Sequence, residues 1–432
     1  MSQNQHSFLF LQGPHGPFFG MLGRSLQAAG HSVRKAGFNQ GDRFFWPRAL
    51  PYTAYQGDEA GWPAALEALI AEHNITDIVL YGDARFLHAK AVAAAHEKGL
   101  KLHCFEEGYL RPFWATYERS GSNGNSALMK LSIEDMRALM DDDATEMVDV
   151  PSQWGPLWHH IYYGALYHFN LLFPSKTYAS YRPHRENSIG AEFYNAVKAL
   201  ATMPLRSINR RVATRRLLKR GDPYFLGLLQ LGHDSSITAH SAFDTNKQFV
   251  DLCIKEFSRG ARSHYRLVFK THPLDDGRDK LKQHISVSAE KNGVADRVDF
   301  IQGGKLGLLL DSATGSITIN STAAQQALWR SLPVRAIGQS VFKKDQLVSR
   351  QPLADFFENP TPPDRTAYLD YRRFLLQTSQ VAGGYYTAKG RAALTRRVVD
   401  MMLAAHGPYA GLTKKPVAKE TQPALKIAHR ES

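Results

Sequence analysis

Short apolar, β-prone runs alternate with helix-length amphipathic stretches along two long parts of this chain, and that rhythm leaves few folds open. Ser7 to Leu11 reads as a strand, Gln12-Gly13-Pro14-His15-Gly16-Pro17 as a loop, and Phe18 to Ala29 as a helix closed by Gly30. The helix Ala64 to His73, the strand Asp77 to Tyr81, the loop Gly82-Asp83-Ala84-Arg85 and the helix Leu87 to Lys98 follow. Leu100 to Phe105 then reads as a strand that delivers Glu106-Glu107-Gly108. The rhythm returns with strands at Tyr224 to Leu231, Arg266 to Lys270, Val298 to Ile301, Ser316 to Ile319 and Pro333 to Ile337. Helices at Phe249 to Ser258, Asp279 to Asn292, Leu306 to Ser312 and Ala323 to Ser331 separate them. Such alternation is what parallel sheets with covering helices produce.

At 432 residues the chain is too long for one ordinary core, and the pattern divides it into two α/β domains. Residues 1–130 form a first Rossmann-like domain and 222–390 a second. Residues 131–221 read as a helical, aromatic and basic interdomain region or insertion, and 391–432 as a terminal helix with a flexible basic tail. The expected class is therefore α/β, two Rossmann-like domains facing across a cleft, with a helical insertion.

The formal charge of +13 predicts attraction to polyanions, whether nucleic acid, an anionic membrane or acidic sugars and nucleotides. No zinc, helix-turn-helix or RNP-type signature accompanies the charge, which argues against nucleic acid. Two cysteines, Cys104 and Cys253, predict no disulfide framework and fit a reducing compartment. The opening residues show no basic leader, the run Phe8 to Leu11 is shorter than a signal-peptide core, and no apolar run approaches membrane-spanning length. The expectation is a cytoplasmic chain whose membrane contact is peripheral. Arg206, Arg210, Arg211, Arg215, Arg216, Lys219 and Arg220 lie without one acid between Leu205 and Arg220, as either a basic helix on anionic lipid or a solvated one. The preceding aromatic stretch, with Trp158, Tyr162, Tyr163, Tyr167, Phe169 and Phe173, reads more readily as buried packing than as a lipid groove.

Candidate site residues sit where strands end, the edge at which open parallel sheets present binding groups. Asn320-Ser321-Thr322 lies between a strand and a small-residue helix start, which favours phosphate, although Ser321 or Thr322 would also serve as a plain helix cap. Lys270-Thr271-His272-Pro273 places a cation and an imidazole at the same edge. Glu106 and Glu107 point to opposite sides of their strand, so one can do chemistry while the other pairs or orients. Arg111 follows as a guanidinium able to hold a carboxylate bidentately. Asp83, Arg85, Gln12 and His15 are expected around one mouth of the cleft, and Gln230 and Asp234 around the other, with ordinary turn roles as the alternative.

Taken in order, Leu11-Gln12-Gly13-Pro14, Tyr81-Gly82-Asp83, Glu106-Glu107-Gly108-Tyr109-Leu110-Arg111-Pro112, Leu229-Gln230-Leu231 with Asp234, Lys270-Thr271-His272-Pro273 and Asn320-Ser321-Thr322 resemble the bacterial capsule polysaccharide biosynthesis family of KpsS/LipB-type β-Kdo glycosyltransferases. The resemblance runs from residue 7 to residue 390. It implies a retaining GT-B enzyme that moves Kdo from CMP-Kdo to phosphatidylglycerol or its lyso form at the inner membrane face, with no metal and no cofactor beyond the donor substrate. On it, His272, Lys270, Asn320, Ser321 and Thr322 hold the cytidine monophosphate, with Gln230 and Asp234 beside them. Glu107, with Glu106 as the alternative, is the nucleophile, and Arg111 anchors the Kdo carboxylate. The first domain becomes the acceptor side, with Asp83, Arg85, Gln12 and His15 as substrate contacts. Related modules carry Glu-Asp-Gly where this chain has Glu-Glu-Gly, a departure in the catalytic segment itself. The acidic pair followed by His-Pro also resembles, more distantly, bacterial sialyltransferases that use CMP-sugars. The rival expectations are a non-catalytic capsule assembly or export factor, acting within an assembly complex, and a nucleotide-sugar epimerase of the same architecture.

Overall fold

The computed structural model describes residues 5–110, 114–119, 121–140, 158–173, 175–179, 207–232, 235–272, 275 and 277–410. In chain order its elements begin with β1 (Ser7–Phe10), α1 (Phe18–Ala28), β2 (Ser32–Gly37), α2 (Gln40–Phe44), β3 (Tyr52–Ala54), α3 (Trp62–Glu72), β4 (Asp77–Tyr81), α4 (Phe86–Lys98), β5 (Lys101–Glu107), β6 (Trp114–Arg119), α5 (Ile133–Leu139) and α6 (Trp158–Leu171). A helix over 207–220, α7, is followed by β7 (Tyr224–Leu228), α8 (Ser235–Ala239), α9 (Asn246–Gly260), β8 (Arg266–Lys270), α10 (Leu281–Lys291), β9 (Val298–Ile301) and α11 (Leu306–Leu310). The chain ends with β10 (Ala313–Thr318), α12 (Gln325–Trp329), β11 (Val334–Ala336), α13 (Leu353–Glu358), α14 (Arg365–Gln377), β12 (Gln380–Ala382) and α15 (Ala388–Leu403).

Two compact units result, one of residues 1–127, 135–193 and 373–432, the other of 128–134 and 194–372. This division differs from the boundaries read in the sequence. The segment after Arg373 belongs with the first unit because β12 pairs antiparallel with β6, Gln380 opposite Thr116, and extends its sheet. Within residues 131–221, read as an interdomain region or insertion, α6 lies in the first unit and α7 in the second.

The first unit holds a seven-stranded sheet in the order β12-β6-β5-β4-β1-β2-β3. Its inner strand β1 is buried on both faces, so the run Phe8-Leu9-Phe10-Leu11 alternates between two cores rather than between core and water. Phe8 and Phe10 join Phe18, Leu22 and the α15 residues Leu394 and Val398; Leu9 and Leu11 join Trp62, Leu66, Ile78 and Leu80. Strands β1 to β5 are mutually parallel, whereas β6 runs antiparallel to β5. The second unit holds a five-stranded, all-parallel sheet in the order β11-β10-β7-β8-β9, with Phe225, Leu267 and Phe269 packed under Phe249, Cys253, Ile254 and Phe257 of α9. Each is a doubly wound Rossmann-like sheet, and a chain of two such units has the composition of the GT-B fold. Cys104 and Cys253 are both free and buried, one in each unit.

In a doubly wound sheet, ligands bind at the carboxyl edge where the strand order reverses. Order reverses between β1 and β4 in the first unit and between β7 and β10 in the second. The loops leaving those strands carry Gln12, His15, Asp83 and Arg85 in one unit and Gln230, Asn320, Ser321 and Thr322 in the other.

Helix α6 packs on the first unit through a close approach to α2. A Cβ on Gly41 would stand 2.6 Å from the Tyr167 ring, which is further held by the Asn39 side-chain amide donating to its hydroxyl at 2.8 Å. Gly41→Ala therefore pushes α6 outward. Hydrogen exchange should speed up across 158–171 while β1, β4 and β5 keep their protection; unchanged exchange in α6 would show that Gly41 does not seat it.

Candidate functional site

Each unit carries its candidate residues at the carboxyl edge of its own sheet. In the first unit the end of β5 is organised by backbone closeness. A Cβ on Gly108 would lie 2.1 Å from the Trp114 carbonyl oxygen, so only glycine lets the chain leave Glu106-Glu107 and return as β6. Glu106 and Glu107 then diverge in role. Glu106 uses both oxygens locally: Oε1 accepts the Glu107 backbone N–H at 2.9 Å and Oε2 accepts the Asn123 amide at 3.3 Å. Glu107 has one oxygen, Oε1, fixed by two phenols, Tyr81 and Tyr386, each donating at 3.1 Å. No hydrogen bond among the described residues engages its other oxygen. Burial, and next the Glu107 charge, push the Tyr81 phenol well above its ordinary pKa, so it remains a proton donor to that carboxylate. Glu107 is thus aimed by two phenol donors that share its Oε1.

Asp83 does not reach outward as the sequence suggested. It is 2% exposed and consumed by the loop after β6, where Oδ2 accepts the Ser122 backbone N–H at 2.7 Å and the Asn125 amide at 3.2 Å. Its role is to hold the loop that presents Asn123 to Glu106. Gln12 is buried too, donating to Asp42 at 3.1 Å, and His15 stacks on Tyr167 with ring centroids 4.4 Å apart. These two tie the first loop to α2 and α6. Arg85 stands half-buried at the N-terminal cap position of α4. Arg111 lies outside the described residues.

Beneath this loop sits a carboxyl the sequence reading passed over. Glu118 is fully buried in β6, and burial pushes it up to about 7; Ser126 donates to it, and Tyr109 and Tyr409 lie beside it. The Tyr109 hydroxyl in turn accepts the Asn123 backbone N–H at 2.7 Å, which links Glu118 to the group that holds Glu106.

In the second unit the strand ends are level: Thr318, Leu228, Lys270 and Ile301 are successive register partners across the sheet. Lys270 is the outstanding group in that row. It is 6% exposed, its ammonium donates to the Thr271 carbonyl at 3.2 Å, and no carboxylate among the described residues pairs with it. Burial, and then the nearby Arg210 guanidinium, lower its pKa to about 8. Arg210 comes from α7 and its stem lies against Gly304. The basic helix therefore turns one cation toward this edge while Arg211, Arg215, Arg216 and Lys219 stay exposed. Two cations without a described counter-anion thus stand together at a strand end, the kind of pair an anion would match.

The remaining donor-side residues are more modestly placed. Thr271 is buried beside Lys270 with its hydroxyl unbonded among the described residues, and His272 follows half-buried. Asn320 is buried. The Ser321 hydroxyl accepts the Ala323 N–H at 3.3 Å and so caps a 3₁₀ turn, Thr322–Ala324. The expected helix from Ala323 is only the short α12, so the dipole of a long helix is not available to a phosphate there. Thr322 opens the turn half-buried. The backbone of Gln230 is clamped by the Asn246 side chain, which accepts its N–H at 3.3 Å and donates to its carbonyl at 2.9 Å. Asp234 lies outside the described residues. Sequence reasoning missed Asn246 and Gln325. Gln325 is 3% exposed and neither side-chain amide atom is bonded among the described residues. Its signal, a glutamine in the turn after Asn320-Ser321-Thr322, was visible but is common in helix starts.

Among the described residues no cluster of three or more His, Cys, Asp or Glu is arranged to hold a metal ion. No described helix is long and apolar enough to cross a membrane.

Comparison with known proteins gives the following. A family model described as capsule polysaccharide biosynthesis protein matches residues 76–386. The capsule polysaccharide export protein KpsS of Escherichia coli is 31% identical over 383 residues, 88% of this chain and 96% of that protein. The capsule polysaccharide modification protein LipB of Neisseria meningitidis serogroup B is 28% identical over 399 residues, 89% of this chain and 93% of that protein. Among solved structures, the β-Kdo 2,7-transferase KpsC of Thermosulfurimonas dismutans is similar with a TM-score of 0.44 at 12% identity, covering 91% of this chain and 97% of that one.

Glu118 carries a pH signature. Its native pKa, about 7, lies above the ordinary carboxylate value of 4.5, so the native state binds the extra proton between those values and stability falls as pH rises through that window. Glu118→Gln, which mimics the protonated acid, should flatten the loss, raising the melting temperature at pH 8 while leaving it nearly unchanged at pH 5. Equal shifts at both values would show that Glu118 is not the titrating group.

Proposed function

Because this chain belongs to the capsule polysaccharide biosynthesis protein family, we propose that it is a retaining Kdo glycosyltransferase that takes the sugar from CMP-Kdo and places it on phosphatidylglycerol or its lyso form. The observation that carries this reading is Lys270, a buried ammonium backed by Arg210 at a parallel-sheet edge, with no carboxylate partner among the described residues. Such a group is matched by a phosphate, and the single phosphate of a CMP-sugar supplies one. Thr271, His272, Asn320 and Gln325 stand on the same unit's carboxyl edge with polar groups suited to ribose and base.

The chemistry is assigned to Glu107. Its second oxygen, Oε2, attacks the anomeric carbon of Kdo as the bond to the phosphate oxygen breaks, and CMP leaves with that electron pair. The charge gathering on the leaving phosphate is met by Lys270 and Arg210. The acceptor hydroxyl then displaces the carboxylate and releases its proton, so two inversions give net retention. Tyr81 and Tyr386 aim Glu107 before attack, and Glu106 holds the supporting loop through Asn123.

The exposed face of α7 supports a peripheral place on an anionic inner leaflet, since Arg211, Arg215 and Lys219 recur there beside exposed Ile208 and Val212. Partnership with a capsule assembly complex is part of the same reading.

The test is transfer from CMP-Kdo, generated in situ, to phosphatidylglycerol, read by mass spectrometry as lipid carrying one Kdo. Glu107→Gln should abolish the product while CMP affinity stays within about twofold. Lys270→Met should weaken CMP binding by roughly tenfold to a hundredfold, the range for removing a charged hydrogen bond. CMP binding untouched by Lys270→Met, or transfer surviving Glu107→Gln, would contradict these assignments.

A further inference from the structure

Helix α6 carries aromatic residues around most of its circumference, and the structure divides them into two faces with different duties. The inner face is spent on the first unit. His160 stacks on Tyr386 at 4.1 Å, Tyr163 lies under the Arg391 guanidinium at 5.3 Å and against Gly16, and Tyr167 stacks on His15. Tyr386 is one of the two phenols that hold Glu107. The outer face is a stripe of Trp158, Tyr162, Ala165 and Phe169, at steps of four, three and four residues, and Phe173 follows it in the turn just past the helix end. These rings are between 48% and 57% exposed. A helix that turns its large apolar rings outward, with nothing polar in the stripe but one phenol, is built for a partner.

We infer that this stripe is where the protein seats on an anionic phospholipid bilayer, its rings entering the boundary between headgroups and acyl chains. The inference rests on the lipid-acceptor reading above and names the surface that serves it. Charge chooses the occupant. Between Asp149 and Glu186 the sequence holds no acid, while it holds Lys176, Arg182 and Arg185, and Lys176 stands exposed just beyond Phe173. Tryptophan, tyrosine and phenylalanine beside cations are the composition that binds the interface of an anionic membrane. Because the inner face grips Tyr386 and the loop of His15, a membrane met by the outer face lies about one helix diameter, roughly 10 Å, from the residues that hold Glu107.

The experiment uses the full chain and sedimentation with vesicles of phosphatidylglycerol and phosphatidylcholine in equal parts, at low and moderate salt. The triple variant Trp158→Ser, Phe169→Ser, Phe173→Ser should lower vesicle partitioning by roughly tenfold or more, because its three rings no longer enter the apolar zone. Its transfer to a short-chain, water-soluble phosphatidylglycerol should stay within about twofold of wild type. The conservative variant Trp158→Phe, Phe169→Leu, Phe173→Leu should keep vesicle binding and excludes misfolding as the cause. Undiminished partitioning of the serine variant overturns the inference and leaves the transferase reading standing. Absence of transfer to the short-chain lipid by wild type, with vesicle binding still lost in the serine variant, overturns the transferase reading and leaves the docking surface. A wild-type dimer in light scattering that becomes a monomer in the serine variant, with vesicle binding unchanged, assigns the stripe to a second copy of the chain and also overturns the inference.

Discussion

A lysine ammonium that leaves water without meeting an anion costs several kcal/mol, and folded chains avoid it unless a ligand completes the site. Lys270 is such a group. Its place follows from the sheet: β8 is flanked by β7 and β9 in level register, so the last residue of the strand is walled in on both sides at the edge where the loops begin. Arg210, brought in by α7, raises the local positive potential further and lowers the lysine's hold on its proton. The Asn246 clamp on Gln230 and the 3₁₀ turn at Ser321 then fix loop backbones along the same edge, leaving side chains such as Gln325 for recognition.

In the first unit the organising interactions are neutral donors around carboxylates. Two tyrosines aim Glu107, while Asp83 and Glu106 are occupied in holding the loop from Gly121 to Ser126. The contrast between adjacent glutamates is what a strand end imposes, since neighbouring side chains emerge on opposite faces and meet different neighbours. Glu107 shares its face with Phe105, whose register partner is Tyr81; Glu106 faces Gly82 and Asn123.

Much of the fold was legible because its strands are apolar on both faces. β1, β4, β7 and β8 read directly as Phe-, Leu-, Val- and Ile-rich runs, and their helices carry clear periodicity. Among the strands that escaped notice, β2 and β6 bury polar or charged side chains. β2 buries Lys35, which finds Asp42 at 3.7 Å, and β6 buries Thr116 and Glu118, which find Gln380 and Ser126. A hydrophobic pattern cannot register a polar residue whose partner is far along the chain. The same limit explains Asp83, whose loop position suggested reach while its neighbours made it an anchor. The motifs after β5, β8 and β10 were legible as positions at strand ends. The division of labour within them was not, because it depends on Tyr386, Asn123 and Arg210, each distant in sequence. The aromatic stretch of α6 read as one packing face, and only three-dimensional placement separates the rings that grip the first unit from those that face outward.

The central claim is that the buried lysine regains its full charge when a nucleotide phosphate arrives. Calorimetry of CMP binding near pH 8, repeated in buffers of different ionisation enthalpy, counts the protons taken up with the ligand. With Lys270 poised at about 8, wild type should take up about half a proton more than Lys270→Met. Identical proton uptake in the two proteins, at measurable CMP affinity in both, would contradict the account.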